Sequence, residues 1–358
     1  MTWTWLWALL GVGVGVVVMD RWLAHRPERA RPRERERRPG GGAGALGELI
    51  ALFQPGVRHL HEEQERQRHD VVLPGDADPP WDVDLDHGTA RMTAPRVPGR
   101  ELVDVAPGVW VTTAVRWAST TTLVVAPDGR CLVVDPGLTA AEIEGVADEI
   151  AARGWTASAG FSTHPHWDHL LWTSRLGSGP RWATADAVEA ARSHRATLLS
   201  EADAEAPGHD HTLTGRLTAL PAVPGPSVLP WTGRQVMVVP YRGHCAGSAA
   251  LLVPDAGVLV AGDVLSDTEI PLLDLDADGP VTDYRTTLDE LEALISEHGV
   301  TVVVPGHGAV AVGPEVARRF AADRAYLAAL GAADVDDPRL ASAEMAALHE
   351  AQQRALSR

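Results

Sequence analysis

Three histidines and one aspartate fall within six residues of each other in the segment ASAGFSTHPHWDHLLW. An apolar run typical of a β-strand precedes them, and a strand end is where an α/β sheet opens onto its ligand crevice. Residues two apart in an extended loop point to the same side. His164 and His166 can therefore bind one metal ion, while Asp168 and His169 contribute to a second. Imidazole and carboxylate ligands suit zinc, with iron or manganese as alternatives.

Three later segments and one earlier segment repeat this arrangement of an apolar run followed by a polar residue. VVPYRGHCAGSAALLV supplies His244, VLVAGDVLSD supplies Asp263 and VVVPGHGAV supplies His307. The earlier segment, LVVDPGL, ends in Asp135. If each run is a strand, these polar residues lie along one edge of the fold. A chance histidine cluster on a polar loop would not require such companions.

In this order the residues resemble the pattern of the metallo-β-lactamase superfamily over about residues 103–310. The resemblance implies seven ligands for two zinc ions: His164, His166 and His244 on the first, Asp168, His169 and His307 on the second, and Asp263 bridging both. It also implies a hydroxide that bridges the ions, with Asp168 or Asp263 managing the proton. Asp135 would support the site without binding metal.

The full ligand set resembles that of the glyoxalase II-like hydrolases of this superfamily. Cys245 follows His244 and does not occupy the position of Asp263, which disfavours a β-lactamase with a cysteine ligand. We therefore expect a metal-dependent hydrolase of a small ester, lactone or thioester. Two alternatives stay open. One is an enzyme similar to the mononuclear iron persulfide dioxygenases, and the other is a membrane-tethered binding protein with a structural metal site.

Acidic residues are concentrated in the part of the chain that carries these motifs. The formal net charge is −17, yet residues 1–100 contain 14 arginines and 14 acidic residues, so that 17 arginines and 34 acidic residues follow. Proteins that bind nucleic acid use basic surfaces to neutralise phosphates. We therefore expect a small-molecule substrate and no nucleic-acid partner.

The N-terminal segment is apolar, with no charged residue from Thr2 to Met19. This length is close to the roughly 17 to 25 residues of a membrane helix. Eight arginines lie between Arg21 and Arg38. They favour an uncleaved anchor over a signal peptide and keep the downstream chain in the cytoplasm. We predict a single-pass anchor in the cell membrane at residues 1–20, with a cytoplasmic catalytic domain.

Composition and periodicity divide the rest of the chain into a linker region rich in Arg, Pro and Gly at 21–100, a hydrolase domain at 101–315 and C-terminal helices at 316–358 that pack on it. Strands are predicted near residues 102–106, 109–114, 120–126, 131–135, 159–163, 235–240, 249–253, 257–261 and 301–304. Helices are predicted near residues 139–153, 184–198, 282–298, 313–331 and 339–356. Hairpins first and helices outside indicate an α/β fold, the four-layer αββα sandwich that the resemblance implies.

Other residues that could do chemistry receive structural interpretations. Cys131 and Cys245 have no CxxC spacing and are interpreted as small, partly buried residues. His209 and His211 lie on a loop flanked by Pro and Gly and are predicted to face solvent. The loop 266–280 follows the bridging aspartate and is predicted to cover the pocket with an apolar wall.

Overall fold

The structure is a computed structural model that describes residues 81–84, 89–92, 101–332 and 334–357. The predicted anchor at 1–20 lies outside these residues, as does most of the predicted linker region at 21–100. Within the described residues, no helix is both long enough and apolar enough to cross a membrane.

A two-stranded antiparallel hairpin lies in the segment before residue 101. Its strands are β1 (Trp81–Asp84) and β2 (Thr89–Met92), with Trp81 opposite Met92. Both strand sequences alternate apolar and polar residues, which is the period of a strand. This hairpin is not predicted from the sequence, because the surrounding Pro, Asp and Gly residues favour a linker.

Seven strands form the first large sheet, in which spatial order follows chain order. They are β3 (Val103–Ala106), β4 (Val109–Thr113), β5 (Thr120–Val125), β6 (Arg130–Val134), β7 (Thr156–Phe161), β8 (Arg181–Ala183) and β9 (Thr218–Ala219). Strands β3 to β6 pair antiparallel, and β6 to β9 pair parallel. The parallel half of the sheet has its strand ends on a common edge.

Six strands form the second large sheet, again in chain order. They are β10 (Ser227–Val228), β11 (Met237–Pro240), β12 (Ala249–Val253), β13 (Val258–Gly262), β14 (Val302–Pro305) and β15 (Ala311–Val312). Within this sheet, only β13 and β14 pair parallel. Parallel neighbours need a crossover connection, and the helix Pro280–His298 makes it.

Helices α1 to α6 surround the sheets. They span Ala140–Ala152, Ala185–Ser193, Arg195–Glu205, Pro280–His298, Pro314–Ala329 and Ala343–Leu356. Local sequence explains where several of them begin and end. Thr139 and Glu142 form a reciprocal capping box at the start of α1. Helix α4 begins at Pro280, and Gly299 caps its C-terminal end with a φ of 62°, a value that favours glycine.

Buried apolar residues fall into three clusters that define the layers. One cluster lies between the two sheets and includes Val124 of the first sheet and Leu251 of the second. A second cluster packs helices α4 to α6 on the second sheet and includes Tyr284 and Phe320. The third packs α1 on the first sheet and includes Ile143. The chain therefore has the mixed α/β architecture expected from its sequence, with helices outside two sheets.

Each predicted strand is present, with small shifts at its ends. The predicted helix at 184–198 is instead two helices, because the chain turns at His194, between α2 and α3. The sequence analysis misses β8, β9, β10 and β15, which have two or three residues each. A strand this short shows no hydrophobic period that a sequence pattern could reveal.

Candidate metal centre

The predicted ligands follow strands whose ends meet at one end of the two sheets. Strands β6 and β7 are parallel in the first sheet, and β13 and β14 are parallel in the second. Backbone hydrogen bonds join the sheets at this end. Thr120 N donates to Gly306 O at 2.7 Å, and Ala249 N donates to Thr163 O at 2.8 Å. The loops that carry the ligands therefore start from fixed positions.

Three imidazoles and one carboxylate oxygen form the first cluster, which we define as His164, His166, His244 and Asp263 Oδ2. His166 Nδ1 lies 3.0 Å from His164 Nε2 and 3.1 Å from His244 Nε2. Asp263 Oδ2 lies 3.2 Å from His164 Nε2 and 3.6 Å from His244 Nε2. Four ligand atoms at zinc bond lengths of about 2.0–2.2 Å in a tetrahedron lie about 3.3 Å apart, so this spacing fits one metal ion.

The second cluster consists of Asp168, His169 and His307. Asp168 Oδ2 lies 3.3 Å from His169 Nε2 and 3.3 Å from His307 Nε2, and these two nitrogens are 3.4 Å apart. Asp263 Oδ1 lies 3.4 Å from His169 Nε2. Asp263 Oδ2 also lies 3.5 Å from His307 Nε2. The Asp263 carboxylate therefore contacts ligand atoms of both clusters, the arrangement expected of a residue that bridges two ions.

The polar atoms at the centre fit metal ions better than they fit each other. In the first cluster, the closest contacts of the inward imidazole nitrogens are with other imidazole nitrogens, at 3.0 and 3.1 Å, although a neutral imidazole has only one N–H to donate. Among the described residues, the buried Asp263 Oδ1 has no hydrogen-bond partner. A buried carboxylate oxygen without a partner costs several kcal/mol, which coordination of a cation offsets. The donor set of imidazoles and carboxylates thus suits divalent metals.

Asp135 contacts the centre through His169. Its Oδ2 lies 2.9 Å from His169 Nδ1, the nitrogen that faces away from the second cluster. Thr163 holds the same carboxylate, donating from its backbone N to Oδ1 at 3.0 Å and from Oγ1 to Oδ2 at 2.7 Å. Carboxylates in this position orient a histidine ligand and raise its basicity. Asp135 is placed to do this without facing the metal ions.

Backbone carbonyls orient two other histidines. His244 Nδ1 donates to Leu272 O at 3.0 Å, and His307 Nδ1 lies 3.1 Å from Trp117 O. A proton on Nδ1 leaves the lone pair of Nε2 free to face the centre. Both rings are therefore held with Nε2 facing the centre.

A glycine in the β14–His307 loop makes room for the bridging carboxylate. A Cβ atom at Gly306 would lie 1.9 Å from Asp263 Oδ1. No heavy atoms approach this closely without a bond, so any side chain at Gly306 must displace the carboxylate. Glycine at this position is needed for the close approach of backbone and ligand.

The imidazoles of the first cluster have lowered pKa values. Burial lowers the pKa of His164 and that of His244. His166 keeps exposed surface, and desolvation of its ring among the packed groups of the centre, together with the His244 imidazole, lowers its pKa to about 4. Neighbouring imidazoles add to this effect, since a second positive charge nearby is unfavourable. All three histidines are thus neutral near pH 7, the protonation state that binds metal.

The second cluster has the opposite tendency. Burial lowers the pKa of His169, but the carboxylates of Asp263, Asp168 and Asp135 outweigh this effect and hold the pKa well above its ordinary value. The pKa of His307 is raised in the same way, with Glu269 as the largest of the opposing charges. These two imidazoles hold protons until a metal cation replaces them.

Glu269 is a residue near the centre that the sequence analysis misses. Its Oε1 lies 3.7 Å from His307 Nδ1, and burial raises the pKa of its carboxyl to about 7. The only signal in the sequence is an acidic residue six positions after Asp263. Two residues of this loop, Ile270 and Leu273, are buried in the apolar cluster that packs helices α4 to α6 on the second sheet. They therefore belong to the core and do not form a separate apolar wall over the pocket.

A third group of metal-binding residue types, Asp203, His209 and His211, lies on α3 and the loop that follows it. His211 is exposed, as predicted, and its Nε2 lies 2.7 Å from Asp203 Oδ1. The prediction that His209 faces solvent is wrong, since its side chain is buried. Its Nδ1 donates to Ala206 O at 3.1 Å, which holds the ring beneath the loop.

The two cysteines stand apart from the ligand set. Cys131 is buried in β6, and Cys245 is half-buried with its Sγ 3.3 Å from Ser248 Oγ. Burial raises the pKa of both thiols to about 12, so neither forms a thiolate near pH 7. Their interpretation as small, partly buried residues is confirmed.

Two layered sheets with a histidine- and aspartate-rich centre at their strand ends define the class as an α/β protein with a candidate centre for two metal ions. The model of the Metallo-beta-lactamase superfamily matches residues 115–307, more than half of the chain, and this range includes all seven predicted ligands. The chain belongs to this superfamily. Residues 52–92 match a different model, described as a family of unknown function (DUF6191).

Comparisons with individual proteins agree with this assignment. The chain is 29% identical over 185 residues to "Probable metallo-hydrolase YqgX" of Bacillus subtilis (strain 168), covering 51% of this chain and 81% of that protein. Among solved structures, a metallo-beta-lactamase family protein of Thermus thermophilus has a TM-score of 0.50 and 22% identity, covering 70% of this chain and 94% of that one. The sec-alkylsulfatase Pisa1 of Pseudomonas sp. has a TM-score of 0.51 and 14% identity, with 65% of this chain and 42% of that chain covered. The two structures show a shared fold.

Proposed function

We propose that this chain hydrolyses a small ester, lactone or thioester at a pair of zinc ions, with iron or manganese as alternative metals. The observation that carries the proposal is the position of Asp263, whose carboxylate contacts ligand atoms of both clusters. The proposed ligands are His164, His166 and His244 for the first ion, Asp168, His169 and His307 for the second, and Asp263 for both.

Bound divalent ions supply an acidified water at neutral pH and polarise an acyl carbonyl, so no serine or cysteine nucleophile is needed. The two aspartates of the centre are ionised. Burial raises the pKa of both carboxyls, but nearby imidazoles outweigh it and hold each pKa well below its usual range. Asp168 is one candidate to accept the proton that an attacking water would lose, since its carboxylate is ionised and belongs to the second cluster. Asp263 is the other candidate for this step.

The second cluster favours this proposal over the mononuclear iron alternative. A single-ion site needs Asp263 with two histidines, whereas Asp168, His169 and His307 add a complete set of further ligand atoms. A closed structural site would likewise not need two adjacent sets. Metal analysis together with oxygen consumption would separate the hydrolase from an oxygenase.

The loop between β4 and β5 supports a substrate with an apolar part. Val115 is 94% exposed in this loop, two residues before Trp117, whose carbonyl oxygen contacts His307 Nδ1. We propose that this exposed apolar side chain, on a loop that also contacts a ligand of the second cluster, contacts the acyl group of a small substrate. We propose no nucleic-acid partner, in keeping with the acidic composition after residue 100.

The proposed location is the cytoplasmic face of the cell membrane, with the anchor at residues 1–20. The support is the apolar N-terminal sequence and the arginines that follow it. A reporter that is active only in the cytoplasm, fused to the C-terminus, should be active. Activity of an export-dependent reporter at the same position would contradict this orientation.

The experiment that tests the function uses full-length protein loaded with zinc and a panel of ester, lactone, thioester, phosphodiester and β-lactam substrates. We expect turnover of at least one acyl substrate, its loss with a chelator and its loss in His166→Ala. His211→Ala, which removes an exposed histidine outside the two clusters, is the matched control and should retain activity. Undiminished activity in metal-free protein would contradict the proposal.

A further inference from the structure

We infer that Gln352, in the C-terminal helix α6, is a positioning residue for the metal ligand His244. This inference rests on the proposed function, since it assigns a role to a residue that does not itself face the metal centre. Gln352 lies outside residues 115–307, which match the superfamily model. It is nevertheless buried, with an exposure of 3%.

The Gln352 side chain binds the backbone on both sides of one residue. Leu273 N donates to Gln352 Oε1 at 2.7 Å, and Gln352 Nε2 donates to Pro271 O at 3.0 Å. Both functional groups of the amide are thus used on the same short segment. The backbone of Leu272, which lies between these two residues, is therefore held in a fixed position and orientation.

The carbonyl of Leu272 is the group that accepts the Nδ1 proton of His244, at 3.0 Å. Residues 270–274 have no regular secondary structure. No sheet or helix hydrogen bonds therefore set the direction of this carbonyl. The contacts with Gln352 set it instead, and the carbonyl fixes the ring orientation and tautomer of His244.

A second contact holds Gln352 itself. Its Nε2 also donates to Tyr326 Oη at 2.9 Å, and that hydroxyl lies 3.0 Å from His349 Nδ1. Tyr326 belongs to α5 and His349 to α6, so the amide is fixed to two helices. The connection from the C-terminal helices to the first cluster therefore passes through rigid, buried groups.

The neighbouring Gln353 provides a matched comparison. Its Nε2 donates to Leu330 O at 3.0 Å and to Ala332 O at 2.9 Å. These bonds tie α6 to the end of α5 and do not reach residues 271–273. Loss of either glutamine amide costs hydrogen bonds of the same kind, but only Gln352 leads to a metal ligand.

The test compares Gln352→Met with Gln353→Met in the full-length chain. Methionine keeps the approximate side-chain volume and removes the amide. The affinity of the first zinc ion is measured by competition with a chromophoric chelator, and the visible spectrum of the cobalt-loaded protein reports ligand geometry. We expect Gln352→Met to lower the affinity for the first zinc ion by about tenfold and to alter the cobalt spectrum. Loss of an outer partner of a histidine ligand has an effect of this size. Gln353→Met should leave both unchanged.

The inference would be overturned if both variants bind zinc and give cobalt spectra as the wild type does. It would also be overturned if both lose zinc affinity to the same extent. If Gln352→Met does not fold, Gln352→Glu replaces it, because that side chain keeps the acceptor for Leu273 N and loses the donor to Pro271 O. Its second oxygen would face Pro271 O, and two acceptors repel each other, so we expect a loss of affinity of the same kind. An affinity equal to that of the wild type would again overturn the inference. Wild-type protein that binds no metal would instead overturn the proposed function, and this inference with it.

Discussion

The two ligand clusters use the same kinds of side chain but carry opposite charge tendencies. In the first, three imidazoles lie beside one another, and desolvation together with their mutual repulsion keeps them neutral. In the second, two imidazoles lie among carboxylates, which raise their pKa values. The first cluster is therefore ready to receive a cation, whereas the second must release protons to do so. The neighbours of a ligand, and not its residue type, determine how it binds metal.

The largest expected effect comes from the residue that both clusters share. Asp263→Ala removes the carboxylate from each cluster, so both ions should be lost or displaced. A bound metal ion contributes several kcal/mol to a transition state, and about 4 kcal/mol corresponds to about a 10³-fold change in rate. We expect kcat/KM to fall by at least this factor. Asp276→Ala, in an exposed part of the following loop, is the control and should leave kcat/KM unchanged.

Asp135→Asn should affect the second cluster and not the first. Asp135 contacts His169, and no ligand of the first cluster is its ion-pair partner. Loss of such an outer carboxylate lowers metal affinity by about 10 to 100-fold. We expect this loss for the second ion and little change for the first, measured by stepwise titration with zinc. Asp128→Asn, on an exposed turn, serves as the control. Equal weakening of both ions would show that the clusters do not act separately.

How far the sequence predicts these clusters depends on how local each signal is. The seven predicted ligands, from His164 to His307, follow apolar runs that form strands, so their convergence can be expected from chain pattern and resemblance. Gln352 and Glu269 give no comparable signal, because a helix far along the chain and an irregular loop bring them to the site. The same holds for His209, whose burial depends on a backbone contact within its loop.

The fold shows a similar division. Strands β12 and β13 have continuous apolar sequences and are predicted almost to the residue. The two-residue strands depend on their sheet neighbours for existence. The break at His194 depends on how α2 and α3 pack, since the residues on both sides favour a helix. Tertiary contacts, not local propensity, decide these features.

The two clusters should also differ in the number of protons that they release when metal binds. Because His169 and His307 hold protons in the metal-free protein and the first-cluster histidines do not, the second zinc ion should displace more protons than the first. Calorimetric titration in buffers of different ionisation enthalpy measures these numbers. As pH falls below 7, the affinity for the second ion should decrease before that for the first, which is retained until the pH approaches about 4, the pKa of His166. The reverse order would contradict the assigned charges.

The smallest effect is expected in the group formed by Asp203, His209 and His211. Its His211 is exposed, and its Nε2 contacts the carboxylate of the exposed Asp203 and no residue of the two clusters. His211→Ala should change kcat/KM and zinc content by less than the error of measurement, and the free energy of unfolding by at most about 1 kcal/mol. A loss of one bound ion in this variant would add this group to the metal sites.

The most direct test of the central claim is the metal content of full-length protein that has been loaded with zinc and freed of excess metal by gel filtration. Two clusters that share Asp263 predict two zinc ions per chain in the wild type and a lower ratio in Asp263→Ala. One ion per chain, or none, in the wild type would contradict the account.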